Sequence, residues 1–292
     1  MFIAGIDGGG THTRIELRDM DNGFVRRGEF GPFNINSIGE TAFRGLLREV
    51  FTWCGGMEQC ARLCVGAAGI SNPKVGQILA EELAAAGFVG KWKLCGDQEI
   101  ALRGAMDGEG LVVIAGTGSI CFGKNAAGQT ARSGGFGHLI DDGGSGYAIG
   151  RDVLASAVRA MDGRVADTAV LQAVCDRLGG GPEKIVPFVY SPETDKAAIA
   201  KISYVALELA DQGNPEAMKI LDQAAAELAQ LVLAVQQRLG MQQCRIALLG
   251  GLLTEENPYH TVVAEKLACL GPVMAAEHSA LWGAAQMAWE LE

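Results

Sequence analysis

Gly5-Ile6-Asp7-Gly8-Gly9-Gly10-Thr11-His12-Thr13 continues a short apolar run, residues 2–6. An apolar run bounded by an acid and three glycines predicts a buried strand that ends in a tight turn. Glycine carries no Cβ, so a turn of this kind can press bare N–H groups against phosphate oxygens. Asp7, at the strand end, is placed to hold Mg²⁺ through water, and the Thr11 and Thr13 hydroxyls to donate to phosphates. A plain glycine turn between two strands accounts for the same residues, and glycine motifs are common enough that this stretch alone does not separate the two readings.

The same order then returns. Strands predicted over 2–6, 13–19 and 24–30, with Asp21-Asn22-Gly23 as hairpin chemistry, are matched by strands over 111–115, 119–124 and 129–132. The second copy has its own loop, Ala115-Gly116-Thr117-Gly118-Ser119, directly after its first apolar strand. Two such loops opening two similar units suit a phosphate chain held by one loop from each. The expected division is residues 1–108 and 109–292, with a closing helix over 279–292 that packs back on the first part.

Between the copies, helices are expected over 38–53, 73–86 and 98–106, and strands over 62–67 and 92–95. Later, Ser145 caps a helix over 146–161. Asn214-Pro215-Glu216 starts another, whose apolar face runs from Ile220 to Leu239 before Gly240 stops it. A strand over 245–249 ends in Gly250-Gly251, and helices over 260–269 and 279–291 close the chain. Strands interleaved with helices give an α/β class.

Three further places carry chemistry. Asp97 follows a strand and opens a helix; its carboxylate could take a proton from an attacking hydroxyl, or could simply cap the helix. Gly134-Gly135-Phe136-Gly137-His138 with Asp141-Asp142-Gly143-Gly144-Ser145-Gly146 suits a polar ligand wrapped by backbone, and its acids miss the calcium-loop spacing. Gly250-Gly251 could let an adenine and its ribose lie against backbone. The four histidines, 12, 138, 260 and 278, show no ligand spacing.

The 292 residues are 49% hydrophobic with a formal charge of −10 and a pI near 5.0. That is ample for a large core, and it excludes binding nucleic acid by phosphate neutralisation. The eight cysteines form no Cys-x-x-Cys pair and mostly sit in apolar runs, as reduced core thiols do. With no leader-like start and no 18-residue apolar span, a cytoplasmic protein with no membrane partner is expected.

Taken together, Gly5-Ile6-Asp7-Gly8-Gly9-Gly10-Thr11, Asp97, Gly116-Thr117-Gly118-Ser119, Gly134-Gly135-Phe136-Gly137-His138, Asp142-x-Gly144-Ser145-Gly146 and Gly250-Gly251 resemble, in order, the N-acetylglucosamine kinase and glucosamine kinase branch of the BadF/BadG/BcrA/BcrD ATPase family. The resemblance implies an actin-like ATPase fold, two ribonuclease-H-like lobes around a central cleft that takes ATP, Mg²⁺ and a sugar. By position, Asp97 looks like the catalytic base and Asp7 like the acid that organises Mg²⁺ through water. Gly9, Gly10, Thr11 and Thr13 look like one phosphate loop, Thr117 and Gly118 like the other, and Gly250 and Gly251 like the nucleotide end. Asn34, Asp97, Thr117, Gly135, Phe136 and Asp142 look like sugar contacts.

The implied activity is ATP-dependent phosphorylation of an amino sugar, N-acetylglucosamine to its 6-phosphate, with glucosamine as the alternative. Two departures bear on substrate. Gly143 stands where many such kinases have Glu, and Phe136 where Trp is common; an extra acid at Asp141 could favour a cationic amine. From other classes, an ATP-driven activator of an iron–sulfur 2-hydroxyacyl-CoA dehydratase and a non-catalytic sugar sensor stay open, as does a homodimer.

Overall fold

The computed structural model describes residues 1–70 and 72–292. It divides into two compact units, Met1–Gly108 with Ala276–Glu292, and Glu109–Ala275.

In the first unit, β1 (Phe2–Gly8), β2 (Thr13–Asp19), β3 (Val25–Phe30), α1 (Ile35–Trp53), β4 (Cys60–Ala67), α2 (Pro73–Ala85), β5 (Lys91–Gly96) and α3 (Asp97–Ala105) follow one another. The sheet order is β3-β2-β1-β4-β5, with β1, β4 and β5 parallel and β2 and β3 antiparallel. β1 is central, which explains its unbroken apolar run: both faces are covered. Ala4 and Ile6 pack with Phe43, Leu47, Val50 and Leu79 of α1 and α2, while Ile3 packs on the other face with Cys64, Cys95 and Ile100. The helix expected from Ile38 begins earlier, at Ile35, but Gly39 (φ 79°, ψ 164°) breaks it, so the added turn is a separate piece capped by Asn34.

The second unit repeats the plan. β6 (Gly110–Ala115), β7 (Ser119–Lys124) and β8 (Thr130–Gly134) are followed by α4 (Gly146–Met161), α5 (Ala169–Leu178), a 3-10 turn (Pro182–Lys184), α6 (Ile185–Tyr190), α7 (Lys196–Lys201), α8 (Ser203–Asp211) and α9 (Pro215–Leu239). β9 (Ile246–Leu249), α10 (Pro258–Leu267) and β10 (Val273–Ala275) complete it. The order β10-β9-β6-β7-β8, with β6, β9 and β10 parallel, is that of the first sheet strand for strand. In α9 the Asn214 side chain accepts from the Glu216 and Ala217 amides, and Gly240 ends the helix in the left-handed region (φ 62°). Ile220, Leu228, Val232 and Val235 from that helix meet Leu111 and Val113 of β6 in one core.

Residues 276–292 do not continue the second unit, because α11 (Ala280–Trp289) lies on β1 and α3 of the first. The approach is backbone to backbone: a Cβ at Gly5 would stand 2.2 Å from the Ala285 nitrogen, and one at Gly104 2.2 Å from the Ser279 carbonyl oxygen. Six of the eight cysteines are buried, as core thiols should be, but Cys244 is only partly covered and Cys269, at the end of α10, is exposed. Among the described residues no helix is long and apolar enough to cross a membrane.

Candidate functional site

The parallel strands β1, β4 and β5 end on one side of the first sheet, where ligands of open α/β sheets bind. Asp7 pairs with Gly66 of β4, and Ala67 with Gly96 of β5, so Asp97 follows immediately beyond the same edge. Both carboxylates are largely covered. Burial pushes Asp7 up to about 6, and the charge of Asp97 adds to it, with Arg14 across the β1–β2 ladder pulling the other way. Asp97 is also raised by burial, partly offset by the Gln98 amide that donates to its Oδ1 at 3.0 Å. Two neighbouring acids that each resist ionisation suit a place where a cation and a proton donor arrive together.

Around this pair, Gly9 closes the β1–β2 turn through its amide to the His12 carbonyl (2.9 Å), leaving Gly10 and Thr11 exposed at the tip. Gly8 has no room for a side chain, since a Cβ there would fall 2.6 Å from the Phe33 ring. Asn34 follows Phe33 and accepts from the Asn36 amide (3.0 Å), and its Oδ1 would stand 3.2 Å from a Cβ at Gly69, just beyond β4.

In the second unit, the β6–β7 turn is braced from both sides. The Gly116 amide donates to the Gly118 carbonyl (2.9 Å), the Gly146 amide to the Gly116 carbonyl (2.8 Å) and the Tyr147 amide to the Thr117 carbonyl (3.3 Å). Asp142 is buried in a left-handed conformation (φ 61°) and its carboxylate lies against Gly118, where a Cβ would meet Oδ2 at 2.9 Å. Burial raises Asp142 as well, with the Ser119 amide and Lys196 acting in the opposite direction. Gly250 (φ 90°) rides on the end of β6 so closely that a Cβ would be 2.3 Å from the Ala115 carbonyl oxygen. Gly135 and Phe136 are exposed past β8, and the Arg132 guanidinium stacks over the Phe136 ring at 4.9 Å.

A family model described as the BadF/BadG/BcrA/BcrD ATPase family matches residues 4–288. The chain belongs to this family. It is 34% identical over 265 residues to an N-acetylmuramic acid/N-acetylglucosamine kinase of Clostridium acetobutylicum, covering 88% of this chain and 87% of that one. It is 29% identical to an N-acetyl-D-glucosamine kinase of Dictyostelium discoideum, over 91% and 90% of the two chains. Among solved structures, a candidate N-acetylglucosamine kinase from Chromobacterium violaceum superposes with a TM-score of 0.77 at 24% identity, covering 98% of both chains. A glucokinase of the ROK family from Streptomyces griseus gives 0.58 at 17% over the full length of both. These likenesses establish the actin-like ATPase fold.

In this family member the residues singled out from sequence fall into two groups. Asp7, Gly9, Gly10, Thr11, Asn34 and Asp97 lie at the carboxyl edge of the first sheet; Thr117, Gly118, Gly135, Phe136, Asp142, Gly250 and Gly251 lie around the β6–β7 turn and its flanking loops. Thr13 is the exception. It is fully buried and its hydroxyl donates to the Gly31 carbonyl (2.6 Å), so it fastens the loop and has no hydroxyl to offer a phosphate. Asp97 is not at the cap position, which Gly96 holds with Glu99 accepting from its amide; as the first residue of α3, Asp97 takes the Gln98 amide on Oδ1.

Asp141, the extra acid that could favour a cationic amine, accepts from the Phe136 amide on Oδ2 at 3.0 Å within its own loop. Where Gly143 lacks a side chain, Glu227 of α9 fills the space, its Oε2 3.1 Å from where a Cβ would be. Ser119, already part of the Gly116-Thr117-Gly118-Ser119 motif, donates its Oγ to the Gly143 carbonyl (2.7 Å); Tyr259, whose hydroxyl donates to the Gly144 carbonyl (2.6 Å), carries no local sequence signal.

Proposed function

We propose that this chain transfers the γ-phosphoryl group of ATP to the C6 hydroxyl of an amino sugar, N-acetylglucosamine before glucosamine. The observation that carries the reading is the partly buried pair Asp7 and Asp97 at one sheet edge, in a member of an ATPase family whose named relatives phosphorylate amino sugars. Asp97, with its affinity for protons raised by burial and only its Oδ1 engaged by the Gln98 amide, is suited to orient the hydroxyl and take its proton as the new P–O bond forms and ADP leaves.

Asp7 fits Mg²⁺ held through water, because a largely covered carboxylate repelled by a second one gains from a nearby cation. The ion, when bound, offsets phosphate charge. The exposed amides of Gly10 and Thr11 and the Thr117-Gly118 turn would meet phosphate oxygens, with Gly250-Gly251 at the nucleoside. Asn34, Gly135, Phe136 and Asp142 would contact the sugar. Positioning and fixed dipoles carry most of the acceleration in transfers of this kind. Two of the named relatives act on N-acetylated sugars, which sets the order of preference, and the 27%-identical glucosamine kinase of Vibrio cholerae keeps the free amine second. ATP as donor and eight unpaired thiols favour work in the cytoplasm.

The dehydratase-activator reading needs surface thiols to bridge a cluster, and Cys269 is the exposed one among the described residues. The deciding experiment follows ATP consumption with Mg²⁺ against glucosamine, N-acetylglucosamine, glucose, mannose, N-acetylmannosamine and no sugar, with Asp97→Asn alongside. Turnover on an amino sugar that vanishes in the variant supports the reading. Hydrolysis independent of sugar would overturn it.

A further inference from the structure

Tyr259 is fully buried in the first turn of α10, more than a hundred residues from the loop that carries Asp142, yet its hydroxyl ends on that loop. The chain of contacts on either side is short. On one side the Tyr259 hydroxyl donates to the Gly144 carbonyl at 2.6 Å, and Gly143 and Gly144 are pinned further by Ser119 Oγ and by the Leu228 side chain beneath Gly144. On the other, Asn257 accepts from the Tyr259 amide (2.9 Å) and donates through Nδ2 to the Leu252 and Glu255 carbonyls (3.0 and 2.9 Å). Leu252 in turn donates its amide to the Ala115 carbonyl (3.2 Å), the group that Gly250 rides on.

The loop after β9 and the loop that holds Asp142 are therefore joined through one buried hydroxyl. Burial keeps that hydroxyl protonated, so it stays a donor. The joined loop also needs holding: Asp142 sits at φ 61° and Gly144 at φ 79°, and a non-glycine residue in the left-handed region relaxes out of it unless its neighbours fix it.

We propose that Tyr259 is a positioning residue that couples the nucleotide end of the site to the sugar end, holding the Asp142 loop in register with the Gly250-Gly251 loop. The inference rests on the kinase reading given above. The residue touches neither ligand. It acts through the Gly144 carbonyl, and occupation of the Gly250-Gly251 loop tightens the Asp142 loop through it.

The test is Tyr259→Phe, which keeps the ring and deletes the donor, beside Val263→Ala, a buried change on the same helix that lowers stability without removing any hydrogen bond to either loop. Leaving a buried carbonyl unpaired is large enough to raise the KM for sugar roughly five- to fifty-fold, with the KM for ATP and kcat changed far less. In the wild type a non-hydrolysable ATP analogue should strengthen sugar binding, and in Tyr259→Phe that gain should be lost.

Hydrogen exchange over 142–146, with and without the analogue and with no sugar present, reads the same coupling: protection should rise in the wild type and not in Tyr259→Phe. The proposal is overturned if Tyr259→Phe keeps the wild-type sugar KM and exchange response. It is equally overturned if Val263→Ala reproduces the kinetic change, which would make the effect one of stability alone. A wild type that phosphorylates no amino sugar sinks the kinase reading, and the exchange experiment still decides the coupling.

Discussion

Asparagine in place of Asp7 should make the chain more stable at neutral pH while removing its phosphoryl transfer. Asp7 moves from 3.8 to about 6 on folding, mainly by burial and then by the charge of Asp97. Below pH 3.8 the group is protonated in both states and costs nothing. Between 3.8 and about 6 the unfolded chain releases the proton while the folded chain still holds it, so stability falls as pH rises. Above that the whole cost is present. At about 1.4 kcal/mol for each pH unit it comes to roughly 3 kcal/mol.

Asparagine has the shape of the protonated acid, so at pH 7.5 the variant recovers most of that cost, less what is lost in attraction to Arg14. A net gain of about 1–3 kcal/mol follows, a few degrees in melting temperature for a chain of this length. Urea unfolding of both proteins from pH 4.5 to 8 measures it. The gap between them should open with rising pH and level off above pH 6, and Mg·ADP should stabilise the wild type far more than the variant. A variant less stable than the wild type at pH 7.5, or a gap that does not change with pH, would refute the description of Asp7 as a carboxylate held at a cost for its task.

Asp97→Asn should lose about 10²- to 10⁴-fold in kcat, the usual span for a lost general base, with a far smaller change in sugar binding by equilibrium titration; for the wild type, turnover should fail on acidification above the ordinary aspartate value, since the base must be unprotonated and its affinity for protons is raised. Gly250→Ala forces a Cβ against the Ala115 carbonyl oxygen at φ 90°, and should weaken nucleotide binding by at least tenfold in titration with an ATP analogue while costing about 1–3 kcal/mol in stability. Gly5→Ala sets a Cβ on the Ala285 backbone and should cost about 3 kcal/mol or more in urea unfolding, whereas Gly45→Ala, in α1 with open space around it, should add about 0.5–1 kcal/mol.

Much of this architecture is legible in the residue order. The apolar runs followed by Gly/Thr turns at Asp7 and at Gly116 mark the first strands of two sheets that prove identical in strand order. The Asn-Pro start and glycine stop of α9 need only local chemistry, and both occur as written. Where local chemistry is ambiguous, tertiary packing decides. An aspartate after a strand suits a cap, but here Gly96 takes the cap and Glu99 its amide, which no one-dimensional pattern distinguishes. Thr13 reads as a phosphate donor until β2 buries it and its hydroxyl donates to the Gly31 carbonyl instead. β10 has only three residues, too few for a period, and exists because β9 offers it an edge. Tyr259 and Glu227 reach the glycine loop from helices distant in the chain, so spacing says nothing of them.

The first unit is interrupted: its sheet is made from residues before 108, but one face is covered by α11, which is synthesised only after the whole of the second unit. A ribosome therefore delivers a complete second unit while Ile3, Cys64 and Cys95 still lack Ala284 and Ala288 against them. β1, which carries Asp7, and α3, which begins with Asp97, both lie under that late helix. A chain cut short before it would leave a folded second half beside an unsealed first, a sticky surface for quality-control factors and no settled acid pair. On the reading proposed above, a chain truncated before residue 276 should therefore lack phosphoryl transfer even where its second unit folds.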